Sequence, residues 1–114
     1  NKTIDFILFK AADAFQVTVE EIKQSKKRGA VTESRKMCFV LFQKHVEISQ
    51  NEISRYFDRH PTLIGITLKN FKTLNTAVKV DKQFLEKFEM IEKDIIDFKE
   101  KLMIKYADQK TSIA

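Results

Sequence analysis

The chain has 114 residues, enough for one domain of ordinary size and too few for two separate cores. Hydrophobic residues make up 43% and charged residues 32%, which excludes a disordered chain. With only 2 Gly and 1 Pro the turn residues of a strand meander are missing, and the net charge of +5 favours polyanionic partners over basic ones.

The composition therefore predicts an all-α fold, and the hydrophobic periodicity resolves it into about six helices. Ile4, Ile7, Leu8, Ala11, Ala12 and Phe15 recur at helical spacing, so a first helix is expected over 3–15, capped by Thr3. Thr18 followed three residues later by Glu21 reads as a capping box opening a short helix to Gln24, with Val19 and Ile22 on its apolar side. A basic loop follows, and Thr32 is expected to cap a third helix running through His45. Its Met37, Phe39, Val40 and Leu41 point to the centre of the core.

Ser49 and Glu52 form a second capping box, opening a helix over 50–57 with Ile53, Tyr56 and Phe57 on one side. Asp58, Arg59 and His60 make a tight connector, and Pro61 stands where proline is favoured, in the first turn of the next helix. That fifth helix is expected over about 61–78. Ile64, Leu68, Phe71, Leu74 and Val78 share its inner face, while Thr62, Gly65, Ile66, Lys69 and Thr73 lie outward.

Asp81 is expected to cap a long last helix over 81–107. Its stripe of Phe84, Phe88, Ile91, Ile95, Phe98 and Leu102, widened by Leu85, Ile96 and Met103, is that of a helix laid across its own core. One domain over 1–107 and a frayed tail over 108–114 are expected. The chain begins with Asn, which reads as a fragment with further domains N-terminal to it.

The longest apolar run, Met37 to Phe42, is six residues, against about 20 needed for a bilayer crossing, so no membrane span is expected. A single cysteine, Cys38, inside that run suits a reducing, cytoplasmic setting and a buried thiol. His45 and His60 are not spaced with carboxylates or Cys38 as a metal site or nucleophile pair requires. No catalytic residue, metal or cofactor is expected. His45 reads as a partner of its helix's dipole, and His60 as either a helix cap or a contact residue.

The positive charge is unevenly spread. Residues 1–80 hold 14 Lys or Arg against 8 Asp or Glu, whereas residues 81–114 hold 7 against 8. Lys26, Lys27, Arg28, Arg35 and Lys36 crowd into the 26–36 loop with Glu33 as the sole opposing charge. The fourth and fifth helices with their three-residue turn have the punctuation of a helix-turn-helix, whose second helix enters the DNA major groove. The outward side of that helix carries no carboxylate. It offers Thr62, Lys69 and Thr73 as donors, and Ile66 for a thymine methyl. Gly65 on this side can admit a close backbone approach. Amides near Ser49 and near Thr62, together with Lys26, Lys27, Arg28, Arg35 and Arg59, are candidate phosphate ligands.

From Phe9 to Lys72 the sequence resembles the C-terminal DNA-binding domain of the bacterial chromosomal replication initiators, the DnaA family, whose fold contains a Trp-repressor-like helix-turn-helix. The likeness is carried by Ala11 and Ala12, Phe15 and Val17, Ile22, the basic loop, Arg35 before an apolar helix, Glu52-Ile53-Ser54-Arg55-Tyr56-Phe57, and His60-Pro61-Thr62-Leu63-Ile64. The last segment is similar to the family's His-Ser/Thr-Thr-Val-Ile signature. The resemblance implies double-stranded DNA as the partner, a nucleoid-associated location and a role in replication initiation. It also implies a minor-groove contact from the position of Lys27, and base and phosphate contacts from His60, Thr62 and Lys69. The family's Gly-Arg-Asp before the His is shortened here to Asp58-Arg59, Pro61 replaces a hydroxyl residue, and the last helix runs past the family's usual end. A replication initiator, a mobile-element protein and a regulator all fit. The alternative reading is a protein-interaction or dimerisation module in which the 81–107 stripe pairs with a copy of itself or with another subunit.

Overall fold

Six consecutive side chains, Met37 to Phe42, are all buried. Six successive residues at 100° each face every direction around a helix, so this one has to be surrounded. In the computed structural model, which describes residues 1–24, 26 and 28–113, with side chains described as far as Asp108, the other five helices surround it. They are α1 (Lys2–Phe15), α2 (Val19–Gln24), α4 (Gln50–Phe57), α5 (Pro61–Lys72) and α6 (Lys79–Ile113), packed around the central α3 (Ala30–His45). The fold is all-helical, and there is no strand among the described residues.

The capping chemistry accounts for most helix starts. The Thr18–Glu21 box forms as expected: each side chain takes the other residue's backbone N–H, both at 3.0 Å. The Ser49–Glu52 box does the same at 3.2 and 3.1 Å. Three starts differ from expectation, those of α1, α3 and α6. Asn1 rather than Thr3 caps α1, its Oδ1 accepting from the Thr3 and Ile4 amides, because asparagine is itself a favoured N-cap and starts the helix two residues earlier. α3 begins at Ala30, ahead of Thr32. Gly29 adopts φ 75° there and supplies no side-chain cap, a positive φ that glycine reaches without strain.

α5 ends at Lys72, short of the expected Val78. Three side chains divert the backbone after it: Thr73 Oγ1 donates to the Asn70 carbonyl at 3.1 Å, Asn75 Oδ1 accepts from the Ala77 amide at 2.9 Å, and the Asp81 carboxylate accepts from the Asn75 amide at 3.0 Å. Short polar side chains that bond nearby backbone compete with helix continuation. They override the apolar spacing that pointed through Leu74 and Val78, and Val78 is exposed. Asp81 is thus a brace on the α5–α6 connection, inside the first turn of α6 rather than its cap.

α6 lies across α1 and α3. Phe88, Ile91 and Ile95 are buried, and Phe98 stacks on Phe6 with centroids 4.2 Å apart. Ile96 and Met103, expected to widen this stripe, are exposed. Glu92 pairs with Lys44 at 2.7 Å and His45 at 2.9 Å, Lys10 with Asp94 at 2.9 Å, and Lys99 Nζ donates to the His45 carbonyl at 2.9 Å. His45 stands in the last turn of α3, where the sequence placed it beside the helix dipole, and also joins α3 to α6. Burial on its own would raise the Glu92 carboxyl, but hydrogen bonds and charge from Lys44 and His45 outweigh it and hold the group below its ordinary value. Helical backbone continues to Ile113, past Asp108 where the tail was expected to fray. Cys38 is buried as anticipated, and that burial pushes its thiol up.

Candidate nucleic-acid interface

α4, the turn at 58–60 and α5 make the helix-turn-helix. The turn is tight because Asp58 enters the left-handed region at φ 52° and ψ 54°, which aspartate tolerates. The Arg59 amide then donates back to the Ser54 carbonyl at 2.9 Å. Arg59 folds over this turn, Nη1 donating to the Phe57 and Asp58 carbonyls, both at 3.1 Å. His60 is the N-cap of α5: its Nδ1 accepts from the Thr62 amide at 3.1 Å. Accepting at Nδ1 makes Nε2 the donor nitrogen, and the residue is exposed. The cap and a contact outward are compatible.

α5 packs on α3 and α4 and sets Phe71 against Phe84 and Phe88 of α6, which otherwise lies on α1 and α3, so the outward side of α5 is left uncovered. Thr62, Ile66 and Lys69 are exposed there, as the spacing predicted, whereas Thr73, also exposed, is the C-cap beyond the helix and its hydroxyl donates to the Asn70 carbonyl. Among the described residues neither the Thr62 hydroxyl nor the Lys69 ammonium has an intramolecular partner. Leu63, Asn70 and Lys72 are exposed beside them and Arg55 on α4, four residues the sequence reading did not assign to the DNA surface. The same 100° arithmetic places Leu63 and Asn70 at the edge of the outward arc, so a wider arc finds them.

Gly65 is half-buried and faces α4. A Cβ built there would meet Gln50 Nε2 at 2.8 Å, and that nitrogen donates to the Pro61 carbonyl at 2.6 Å. The close approach that glycine permits is therefore the packing of α4 on α5, which corrects the expectation of an outside backbone at this position.

Arg35 is also corrected. It is 6% exposed, with Nε donating to the Ile22 carbonyl at 2.8 Å and Nη2 to the Glu21 carbonyl at 3.1 Å. It satisfies carbonyls near the end of α2 from inside the domain and is not part of the exposed basic loop. Burial, then the charge of Arg59, push its guanidinium below the ordinary value, against a small opposing effect of Cys38. Lys23, near the end of α2, holds its ammonium 5.4 Å from the Tyr56 ring centroid on α4. These contacts bring the end of α2 beside the helix-turn-helix, and the segment bearing the exposed Lys26 and Arg28 leaves from that point. Lys27 lies outside the described residues.

The expected amide sites are largely occupied. At the start of α5, Pro61 has no N–H, the Thr62 amide goes to His60 Nδ1 and the Leu63 amide to the His60 carbonyl. At the start of α4, the Ser49 hydroxyl and the Glu52 carboxylate are committed to the capping box, and that carboxylate opposes an anion there. Among the described residues no group of three or more His, Cys, Asp or Glu could hold a metal ion, and no helix is long and apolar enough to cross a membrane.

The family described as bacterial dnaA protein helix-turn-helix matches residues 4–68, a span that runs from α1 through most of α5 and stops before α6. A chromosomal replication initiator protein DnaA from Oleidesulfovibrio alaskensis is 25% identical over 92 residues, which make up 80% of this chain and 20% of that protein. The chain thus spans about a fifth of the length of the curated relative it matches.

Proposed function

The chain belongs to the bacterial DnaA helix-turn-helix family, and from that membership we propose that it binds double-stranded DNA sequence-specifically, with α5 in the major groove. DNA binding itself stands at the level of the family. Lys26, Lys27 and Arg28 lie against the adjacent backbone or minor groove in this reading, and Arg59 adds a phosphate contact beside the turn. The observation that carries it is the uncovered outward face of α5, where Thr62, Ile66, Lys69 and Thr73 are exposed and the whole helix contains no carboxylate. Such a face meets a polyanion without repulsion and presents donors and a methyl-contacting side chain to base edges. A role in replication initiation, as in the relative's name, is the corresponding proposal for the biological process.

Fluorescence anisotropy with random duplex DNA across salt concentrations tests this. Four or five neutralised phosphates give a log–log salt slope of about −4, and selection from a random pool then yields the preferred sequence. Absence of salt-sensitive binding refutes the proposal.

A second reading is favoured by α6, where Met90, Ile96, Met103 and Ile104 are exposed: a homodimer through this helix would present two half-sites. Light scattering across protein concentration tests it, and a monomer at high concentration removes it.

A further inference from the structure

We infer that the cleft between α3, α5 and α6 is a binding site for a free α-amino acid with an apolar side chain. The site is independent of the DNA reading above, since no residue given a DNA contact there lines it.

Two stripes of side chains make its walls. Glu33, Lys36 and Val40 fall at i, i+3 and i+7 on one face of α3, and Thr67, Asn70 and Phe71 at i, i+3 and i+4 on one face of α5. The next helix does not close the space between them. Polar side chains turn the backbone aside after α5, and among the described residues no Cα of α5 comes within 8 Å of one in α6. The two helices meet through the Phe71 ring, whose centroid is 6.3 Å from that of Phe84 and 4.7 Å from that of Phe88. What remains is a cleft of about 290 Å³, near the lower end of the roughly 300–1,000 Å³ of small-molecule sites, which favour gaps between the helices of a bundle.

Its floor is apolar, with Val40 buried and Phe71, Leu74 and Phe84 half-buried. Its rim is charged. Lys36 Nζ lies 3.3 Å from Glu33 Oε1, with 42% and 39% of the two side chains exposed. An ion pair so placed is weak, and the ammonium keeps donors and the carboxylate an oxygen for a second partner. A molecule that satisfies both must hold an anionic and a cationic group side by side, which an α-amino acid does by its covalent structure. Its carboxylate meets Lys36 and the side-chain amide of Asn70, which has no intramolecular partner among the described residues. Its ammonium meets Glu33, and Asp81 adds a second carboxylate from the α6 wall. The side chain then enters among Phe71, Leu74 and Phe84 and covers Val80, an exposed valine in the same wall. A ligand with one charge would take one member of the Lys36–Glu33 pair and strand the other, and the two carboxylates repel a polyanion.

The test titrates the full chain, without DNA, with free leucine, methionine and phenylalanine, and follows backbone amide shifts by NMR. Saturable shifts centred on residues 33–40, 67–74 and 80–84 are expected, and none from glycine at the same concentrations. The N-acetyl form of the best binder lacks the ammonium and its amide lacks the carboxylate; each is expected to bind about tenfold more weakly, or worse. In Lys36→Gln the preference for the acid over its amide disappears, and in Glu33→Gln the preference over the N-acetyl form. Both side chains are partly exposed, and circular dichroism verifies that the variants keep their helix content. The two analogues are read on the unaltered chain, so the charge requirement is tested even if a variant fails to fold. No saturable shift with any of the three amino acids at millimolar concentration overturns the inference. So does a best binder whose affinity is indifferent to the loss of either charge, or whose preferences persist in both variants. Neither result bears on the anisotropy test of DNA binding, so the two readings stand or fall separately.

Discussion

Replacing Arg35 by Met separates a structural arginine from a DNA-contacting one. The substitution keeps an unbranched chain of similar reach in the buried site but removes both donors, so the Glu21 and Ile22 carbonyls near the end of α2 lose their partners at 3.1 and 2.8 Å. A hydrogen bond from a charged donor contributes about 1.5–3 kcal/mol. Two of them, less the relief of repulsion with Arg59, give a destabilisation of about 3 kcal/mol. A domain of this length has a total stability on the order of 10 kcal/mol, so the loss is a large fraction of it. With a urea m-value of about 1.5 kcal/mol per molar the midpoint falls by about 2 M. Urea titration followed by circular dichroism measures this, alongside the salt dependence of DNA binding under conditions where the variant is folded. The structural role predicts the large midpoint shift and an unchanged salt slope. A midpoint within about 0.5 M of the wild type, combined with a slope flattened by about one unit, would refute the reasoning and return Arg35 to the DNA surface.

Three further outcomes follow from the geometry. Lys69→Ala leaves stability unchanged to within about 0.5 kcal/mol, since the side chain is exposed, and flattens the salt slope by about one unit; anisotropy at four or more salt concentrations reads it. Gly65→Ala gains about 1 kcal/mol of helix propensity and loses about as much when Gln50 swings away from the Pro61 carbonyl, for a net change near zero. In a Gln50→Ala background the same substitution stabilises by about 1 kcal/mol, which urea melts of the four-member cycle resolve. Glu92 is held below its ordinary value in the folded state, so its contribution is fully present above the ordinary carboxylate range and is lost as pH falls through the lowered folded value. The stability difference between wild type and Glu92→Gln is therefore expected to shrink as pH falls through the carboxylate range into strong acid, as urea midpoints taken down the pH scale would report.

Much of the fold is written in stretches of three or four residues. The Thr18–Glu21 and Ser49–Glu52 boxes, Pro61 at the start of α5 and the four-three spacing along α6 each involve neighbours in the chain. The physics that forms them acts before any distant contact exists. The outward exposure of Thr62, Ile66 and Lys69 belongs to the same class, because one apolar face of a helix fixes the opposite one. Arg35, Gly65 and His45 were legible only as residue types. Their partners, at Ile22, Gln50 and Glu92, lie 13, 15 and 47 positions away, a separation over which sequence spacing carries no geometric information. An arginine in a basic run looks the same whether it faces water or the end of another helix. Only the packing of α2 against α3 distinguishes the two, since a carbonyl buried near a helix terminus draws in the nearest donor that can reach it. Local chemistry thus set the helices and the face that α5 turns outward, and tertiary packing decided which of the candidate ligands that face retains.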